Sequence, residues 1–181
     1  TLGGHLGHGD PHMDLPPILM TLNARVRAVG PKGQRWIDMN DLAVGYYQTT
    51  LERDELIADV HVPAQPSSVC TAYAKFTALS ADDWPTVGVA AWFRIEASQI
   101  AEARVAISAA TERPVRVTAA EGILTGASPT PETFATAAEA AADTAETPAD
   151  IPGSAAHNRD MIRVHVRRAL AQALAARGTG N

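Results

Sequence analysis

The hydrophobic pattern of the chain changes once after residue 68, from strand-like to helical, and this order limits the folds it can adopt. Three segments rich in Val, Ile and aromatic residues come first: Val69–Leu79, Val87–Glu96 and Glu102–Ala109. Three segments with helical signals follow: Pro114–Leu124, Pro131–Thr144 and Ser154–Ala176. Strands followed by helices are typical of an α+β fold, so we expect a three-stranded antiparallel sheet packed with three helices.

A short helix is expected near the start of the chain. Leu15–Leu22 is an apolar run that begins with Pro16 and Pro17, residues that suit a first helical turn. Asp14 stands in the position of an N-cap, where its side chain could accept a hydrogen bond from the first turn. Further on, Asp41–Tyr47 is interpreted as one turn of helix followed by a loop.

Three strands are predicted in the same region. Arg25–Val29 and Arg35–Met39 alternate apolar and polar residues on either side of Gly30–Gly33, which is the pattern of a tight hairpin. Glu55–Val62 alternates in the same way. A Pro- and Ser-rich linker, Pro63–Ser68, follows, and it predicts a boundary between one domain at 1–66 and another at 67–181.

Charge and composition exclude several classes of partner. The formal net charge is −5 with acidic residues scattered along the chain, which gives nucleic acid or an anionic membrane no electrostatic reason to bind. Cys70 is the only cysteine, so this chain alone cannot form a disulfide or hold an iron–sulfur cluster. No segment approaches the roughly 20 apolar residues of a membrane-spanning helix, and we expect a cytoplasmic protein.

The opening segment, Thr1–Asp14, combines glycines, histidines and aspartates with few bulky apolar residues. Gly3 and Gly4 allow positive φ and let backbone amides approach a ligand, so they could form a nest for phosphate oxygens. A flexible turn at the start of the chain is the alternative. Either interpretation makes Thr1–Asp14 a loop.

The same segment offers a possible metal site. Imidazole and carboxylate groups are common zinc ligands, and the segment carries four of them: His5, His8, Asp10 and His12. Their spacing would bring them together only on a helix, which the glycines and Pro11 disfavour. Hydrogen bonding to a ligand or a carbonyl is the alternative for these histidines.

Three further groups of side chains could bind a partner. Tyr73 and Lys75 share one face of a predicted strand, where they could stack on and polarise a planar ligand or simply occupy an edge. Asp82-Asp83-Trp84 could place an acid beside that face. A third group lies on the last helix, where an i, i+4 stripe invites an acidic partner or faces solvent: Arg159, Arg163 and Arg167.

Taken together, these motifs resemble the FAD-binding medium subunits of molybdenum hydroxylases, a family that includes aerobic carbon monoxide dehydrogenase and the flavin domain of xanthine dehydrogenase. Thr1-Leu-Gly-Gly4, then Asp10-Pro11 and Asp14-Leu15-Pro16, is similar to the second flavin motif of that family. Later landmarks match in the same order: Asp54-Glu55-Leu56-Ile57, Ala72-Tyr73-Ala74-Lys75, and Ile151-Pro-Gly-Ser154 with the helix that follows.

The resemblance implies a second FAD subdomain followed by a C-terminal flavoprotein domain, with the family's N-terminal FAD subdomain outside this sequence. It implies eight residues at the cofactor: Thr1, Gly3, Gly4, His5, Asp14, Ile57, Tyr73 and Lys75. The first four would contact the pyrophosphate and ribityl region, although His5 replaces the usual Asn or Ser. Asp14 would hydrogen-bond hydroxyl groups, Ile57 would pack on the ring system, and Tyr73 and Lys75 would lie at the isoalloxazine.

The function implied is an oxidoreductase subunit that holds FAD and needs no catalytic side chain. Electrons would come from molybdopterin on a large subunit through 2Fe–2S clusters on a small subunit, and pass to NAD⁺, a quinone or oxygen. Lys75 would stabilise negative charge on the reduced flavin. Two alternatives stay open: a non-enzymatic assembly domain of such a complex, and a hydrolase whose metal is held by the His/Asp group of the opening segment.

Overall fold

A computed structural model describes residues 1–77, 84–147 and 154–177 of the chain. The first part contains three helices and five strands: α1 (Leu2–Gly7), α2 (Leu15–Thr21), β1 (Arg25–Gly30), β2 (Gly33–Asp38), α3 (Met39–Leu42), β3 (Ala43–Gly45), β4 (Gln48–Thr49) and β5 (Leu56–His61). The described residues of the second part form four strands and three helices: β6 (Val69–Thr77), β7 (Pro85–Glu96), β8 (Gln99–Ser108), β9 (Val115–Arg116), α4 (Thr118–Leu124), α5 (Pro131–Thr144) and α6 (Ala155–Ala176). The α+β class is confirmed.

The first part is built on an antiparallel sheet in the order β2-β1-β5. Gly30 pairs with Gly33, so Pro31 and Lys32 alone form the turn of the predicted hairpin. Gly33 has φ +126°, a conformation that side chains rarely adopt. Alternation along β1 and β2 buries Val26, Ala28 and Ile37, which pack in one core with Leu19 and Met20 of α2. Segment 41–47 contains only the end of α3, and its remainder enters a small β3–β4 hairpin.

The second part is an antiparallel sheet in the order β6-β7-β8-β9. The three long strands are those predicted from the sequence, and the two-residue strand β9 adds a fourth at the edge of β8. Because Val115 and Arg116 pair with β8, the helix predicted to start at Pro114 begins instead at Thr118. The predicted helix Pro131–Thr144 is confirmed at both ends, with the Thr130 hydroxyl as its N-cap.

The two faces of this sheet have different partners. On one face, alternate β7 residues such as Val89 and Phe93 are fully buried against the helices. One apolar stripe of α6 lies against this face and is fully buried: Ile162, Val166, Ala169, Leu170 and Ala173. The opposite face meets the first part of the chain, since Ala106 of β8 belongs to the same core as α2. Helix α2 therefore packs on β7 and β8.

The segment that joins the two parts is held by the side chain of Gln65. Its amide nitrogen donates to the carbonyl oxygen of Leu22 (3.2 Å), and its amide oxygen accepts from Nε1 of Trp92 (3.0 Å). Arg104 adds a second tie, because it stacks on Trp92 with its guanidinium carbon 3.8 Å from the ring centre and donates to the carbonyl of Thr21 (2.9 Å). The predicted boundary near residue 66 lies in this segment and stays a prediction.

Some predictions concern residues outside those described. Asp82, Asp83 and the landmark at 151–153 fall there. Within the described ranges, no helix combines the length and apolar character required to cross a membrane.

Candidate functional site

An open groove of about 780 Å³ runs between helix α1 and strand β5. Four of the eight sequence-predicted residues line it: Thr1, Gly3, Gly4 and Ile57. Helix α1 supplies Gly3 and Gly4, its N-cap is Thr1, and strand β5 supplies Ile57. The groove thus brings together side chains and backbone from positions more than fifty residues apart in the sequence.

The segment that holds the two glycines is helical, which corrects the prediction of a loop with positive φ. Residues Leu2–Gly7 form one short helix, capped by the Thr1 hydroxyl, which accepts a hydrogen bond from the Gly4 amide (3.1 Å). Within the segment 1–14 only Gly9 has a positive φ, at 70°. The helix forms despite its glycines because Leu6 is buried in the core and the N-cap is satisfied.

Gly3 has a packing role in this arrangement. A Cβ atom at Gly3 would lie 2.8 Å from the carbonyl oxygen of Ile57, so the helix and strand β5 can approach this closely only with glycine there. At Gly4, a Cβ would meet only the Thr1 hydroxyl, at 3.1 Å. Gly3 therefore sets the width of the groove, while Gly4 leaves its wall free of a side chain.

His5 lies apart from this groove. It lines a much smaller, mostly apolar pocket with Asp10, Met20 and Met39, and its Nε2 is buried without a hydrogen-bond partner. Of the predicted phosphate-binding residues, His5 is thus the one that the fold separates from the others.

Asp14, Tyr73 and Lys75 form a hydrogen-bonded cluster, which we call the Asp14 triad. The hydroxyl of Tyr73 donates to Oδ1 of Asp14 (2.7 Å), and Nζ of Lys75 donates to Oδ2 (3.1 Å). Tyr73 and Lys75 come from the same face of β6, as the alternation predicted, and Asp14 arrives at the start of α2. The triad joins the two parts of the chain.

Asp14 does not cap α2 as predicted. Its φ and ψ of −74° and −33° are helical, and its side chain makes no capping hydrogen bond. An N-cap residue normally has extended dihedrals that turn its side chain back to the helix amides. Because Asp14 is already in helical geometry, its carboxylate is free to point to β6.

Burial and the hydrogen bond to Asp14 both raise the pKa of Tyr73 above its ordinary value of 10. The phenol therefore stays protonated and donates at physiological pH. Lys75 and Asp14 carry opposite charges and form an ion pair within the chain. Asp14 retains acceptor capacity, since a carboxylate can accept about four hydrogen bonds and its side chain is 41% exposed.

The sequence-predicted metal ligands do not converge. Oδ1 of Asp10 accepts from the His12 backbone amide and from its Nδ1, both at 2.9 Å, and the His12 ring stacks on Trp84. His8 instead packs edge-on against Tyr47. Across the three described ranges, no group of three or more His, Cys, Asp or Glu side chains could hold a metal ion.

The predicted arginine stripe on α6 is partly neutralised. Arg163, at its centre, donates to Glu139 of α5 (2.6 Å) and to Asp160 on its own helix (2.5 Å). The Glu139 contact joins α5 to α6, and both contacts weaken the case for an acidic partner at this position. Cys70 is buried with 1% exposure, and burial raises the pKa of its thiol, as expected of a packing residue rather than a nucleophile.

Comparison with known families gives two matches that follow one another along the chain. The FAD-binding domain of molybdopterin dehydrogenases matches residues 1–65. The C-terminal domain of the carbon monoxide dehydrogenase flavoprotein matches residues 71–173, which is more than half of the chain.

Individual relatives agree with these matches. The chain is 35% identical over 173 residues to the nicotine 6-hydroxylase medium subunit of Paenarthrobacter nicotinovorans, covering 96% of this chain and 60% of that protein. It is 30% identical over 170 residues to the carbon monoxide dehydrogenase medium chain of Hydrogenophaga pseudoflava, covering 94% and 59%. The chain thus spans about 60% of the length of these curated relatives.

A solved structure shows the same fold. Carbon monoxide dehydrogenase from Hydrogenophaga pseudoflava, in a form lacking the Mo-pyranopterin moiety of its cofactor, matches with a TM-score of 0.91 and 32% identity, covering 97% of this chain and 61% of that chain. The two family matches and this structure confirm the resemblance drawn from the sequence. The chain belongs to the family of FAD-binding medium subunits of molybdenum hydroxylases.

Proposed function

We propose that this chain forms part of the FAD site of a cytoplasmic molybdenum hydroxylase and acts there as an oxidoreductase subunit. The observation that carries the proposal is the groove lined by Thr1, Gly3, Gly4 and Ile57. The two domains that we propose, 1–66 and 67–181, are supported by the separate family matches at 1–65 and 71–173.

The residues of the groove fit a dinucleotide by their chemistry. Glycines leave backbone groups accessible along one wall, where phosphate oxygens can be bound without interference from side chains. Ile57 offers an apolar surface on the opposite wall. His5 is not needed for this binding, because it lies in the separate small pocket.

The Asp14 triad supplies the second half of the proposed site. Asp14 would accept hydrogen bonds from the ribityl hydroxyls, using the acceptor sites that Tyr73 and Lys75 leave open. Tyr73 and Lys75 would lie at the isoalloxazine, held in place by the shared carboxylate. FAD supplies the redox chemistry, and the chain binds and orients it.

The partners that we propose follow from the medium subunits to which the chain is similar. A large subunit would carry molybdopterin, and a small subunit would carry the 2Fe–2S clusters. Electrons would leave FAD for NAD⁺, a quinone or oxygen. The family's N-terminal FAD subdomain would complete the groove from its open side.

FAD titration of the complete protein that contains this chain tests the proposal. Quenching of flavin fluorescence should saturate at one FAD per chain. Gly4→Val, which adds a branched side chain to the groove wall, should weaken FAD binding by roughly tenfold or more, the equivalent of at least 1.4 kcal/mol. Gly122→Val on α4 is the matched control, because nothing lies within 4 Å of a Cβ there.

Two results would contradict the proposal. One is FAD binding that Gly4→Val leaves unchanged, which would place the cofactor elsewhere. The other is a protein that binds no FAD but still associates with the molybdopterin subunit, which would favour the alternative of an assembly domain.

A further inference from the structure

Gly88 lies on the face of the sheet that carries Tyr73 and Lys75 of the Asp14 triad. On strand β7 it pairs directly with Lys75 of β6 on one side and with Ser108 of β8 on the other. Paired residues project from the same face of a sheet, and Tyr73, two residues from Lys75, projects from it as well. Gly88 is therefore surrounded by Tyr73, Lys75 and Ser108.

The position cannot accept a side chain in this arrangement. A Cβ atom at Gly88 would lie 2.5 Å from the hydroxyl oxygen of Tyr73 and 2.6 Å from the hydroxyl oxygen of Ser108. Among the glycines of the described ranges, positive φ occurs only at Gly9, Gly33 and Gly126, so backbone conformation is not what requires glycine here. The requirement comes from the space that the two oxygens occupy.

That space is what allows Tyr73 to reach Asp14. The Tyr73 hydroxyl passes over the Cα of Gly88 and donates to Asp14 at the start of α2 (2.7 Å). Ser108 is fully buried beside it. A methyl group at residue 88 would have to displace the phenol, the serine or both.

We propose that Gly88 is a positioning residue of the cofactor site, which holds the Tyr73 hydroxyl on Asp14 by leaving this space empty. Its effect on FAD rests on the proposed function, because Gly88 acts through Tyr73 and Asp14. Its effect on the Tyr73–Asp14 contact does not depend on any cofactor. The two effects can therefore be measured separately.

A mutant cycle in the complete protein separates the effect of Gly88 on the Tyr73–Asp14 contact from its effect on FAD binding. The variants are Gly88→Ala, the pair Tyr73→Phe/Ser108→Ala, and the triple variant that combines all three. In the pair both crowding oxygens are gone, and the nearest atom of residue 73 is a ring carbon at 3.4 Å, an ordinary contact. Gly122→Ala on α4 is the control for adding a methyl group where space is open.

Two quantities are measured for each variant: the unfolding midpoint of the FAD-free protein and the dissociation constant for FAD. Gly88→Ala alone should lower the midpoint and weaken FAD binding by roughly tenfold, as expected when one hydrogen bond to a charged group is lost. Added to the pair, the same methyl group should change neither quantity, because the oxygens that it displaces are absent. Gly122→Ala should lower neither the midpoint nor FAD affinity.

Either of two results would overturn the inference. One is that Gly88→Ala lowers the unfolding midpoint and FAD affinity as much in the pair background as in the wild type. The other is that Gly88→Ala alone leaves FAD affinity within twofold of the wild-type value. If Gly88→Ala alone does not fold, comparison of the triple variant with the pair still decides, because a lower unfolding midpoint or weaker FAD binding in the triple variant than in the pair contradicts the inference. Failure of the proposed function is distinct, since it would appear as absent FAD binding in the wild type with a non-additive unfolding cycle.

Discussion

The hydroxyl of Tyr73 donates a 2.7 Å hydrogen bond to the carboxylate of Asp14, 59 residues earlier in the chain. Lys75 donates to the other oxygen of the same carboxylate (3.1 Å), so one acidic group at the start of α2 holds two side chains of β6. This contact fixes how the first part of the chain lies on the second sheet. It also places three sequence-predicted cofactor residues in one cluster.

Replacing Asp14 should separate its two contacts. Asp14→Asn keeps an acceptor for Tyr73 but removes the ion pair, and because that pair is partly exposed the loss in unfolding free energy should be below about 1 kcal/mol. Asp14→Ala removes both contacts and should cost about 1–3 kcal/mol. Urea unfolding measures both values, with exposed Asp143→Asn as the control. Equal losses for Asn and Ala would contradict the account.

The glycines of α1 should respond to alanine with opposite signs. Gly3→Ala places a Cβ 2.8 Å from the Ile57 carbonyl oxygen, and such overpacking should destabilise the protein by about 1–3 kcal/mol. At Gly7 the nearest atom is a methyl of Leu51 at 3.5 Å, an ordinary contact. Gly7→Ala should therefore stabilise the helix by about 0.5–1 kcal/mol. Thermal unfolding of both variants checks this, and a stabilising Gly3→Ala would refute it.

His165 should make stability fall in mildly acidic solution. Burial lowers the pKa of this imidazole below its ordinary 6.5, while its Nδ1–H donates to the Met161 carbonyl (2.9 Å). The unfolded chain then binds a proton more readily than the folded one, so stability is complete above about pH 6.5 and decreases as pH falls from there towards the lowered value. His165→Gln should lose less stability than the wild type between about pH 7.5 and pH 5, measured by urea unfolding. Parallel curves would exclude His165 as the source.

Glu55 should make stability depend on pH in a more acidic range than His165 does. Arg35 donates two hydrogen bonds to this carboxylate and the Glu52 amide donates a third, all at 2.8 Å, and the Arg35 contact is the largest cause that lowers the pKa of Glu55 from 4.5 to about 2. The stabilisation is present above pH 4.5 and is lost as pH falls towards 2. The stability difference between the wild type and Glu55→Gln should shrink over that range in acid unfolding measurements. Glu52→Gln, in the more exposed pair with Lys32, should show a smaller difference.

Local periodicity was enough to locate most of the regular elements of the chain. The β1–β2 hairpin, the three long strands and helix α5 follow from alternation, turn residues and caps that lie within a few residues of each other. Helix α1 was missed because its glycines oppose helix formation, and burial of Leu6 overrides that preference. The strand β9 was missed because it exists only through pairing with β8.

In the candidate site, too, local sequence patterns predicted some features and tertiary contacts decided the others. A period of two placed Tyr73 and Lys75 on one face, but nothing local indicated that Asp14 would be their partner rather than a helix cap. The sequence contained one indication of the role of Gly88, because an isolated glycine inside a strand often marks a close approach of other atoms. His5 was predicted to bind the cofactor together with the neighbouring glycines, but in the folded protein it lines a separate pocket.

The sequence by itself determined the fold class, most of the helices and strands, and the family, since these depend on patterns and motifs read along the chain. Only the tertiary structure decided which predicted residues meet. The docking of α2 on β7 and β8 brings Asp14 to Tyr73, and the space above Gly88 admits the phenol. Such contacts depend on packing between segments far apart in the sequence, where one missing Cβ atom determines whether two side chains can touch.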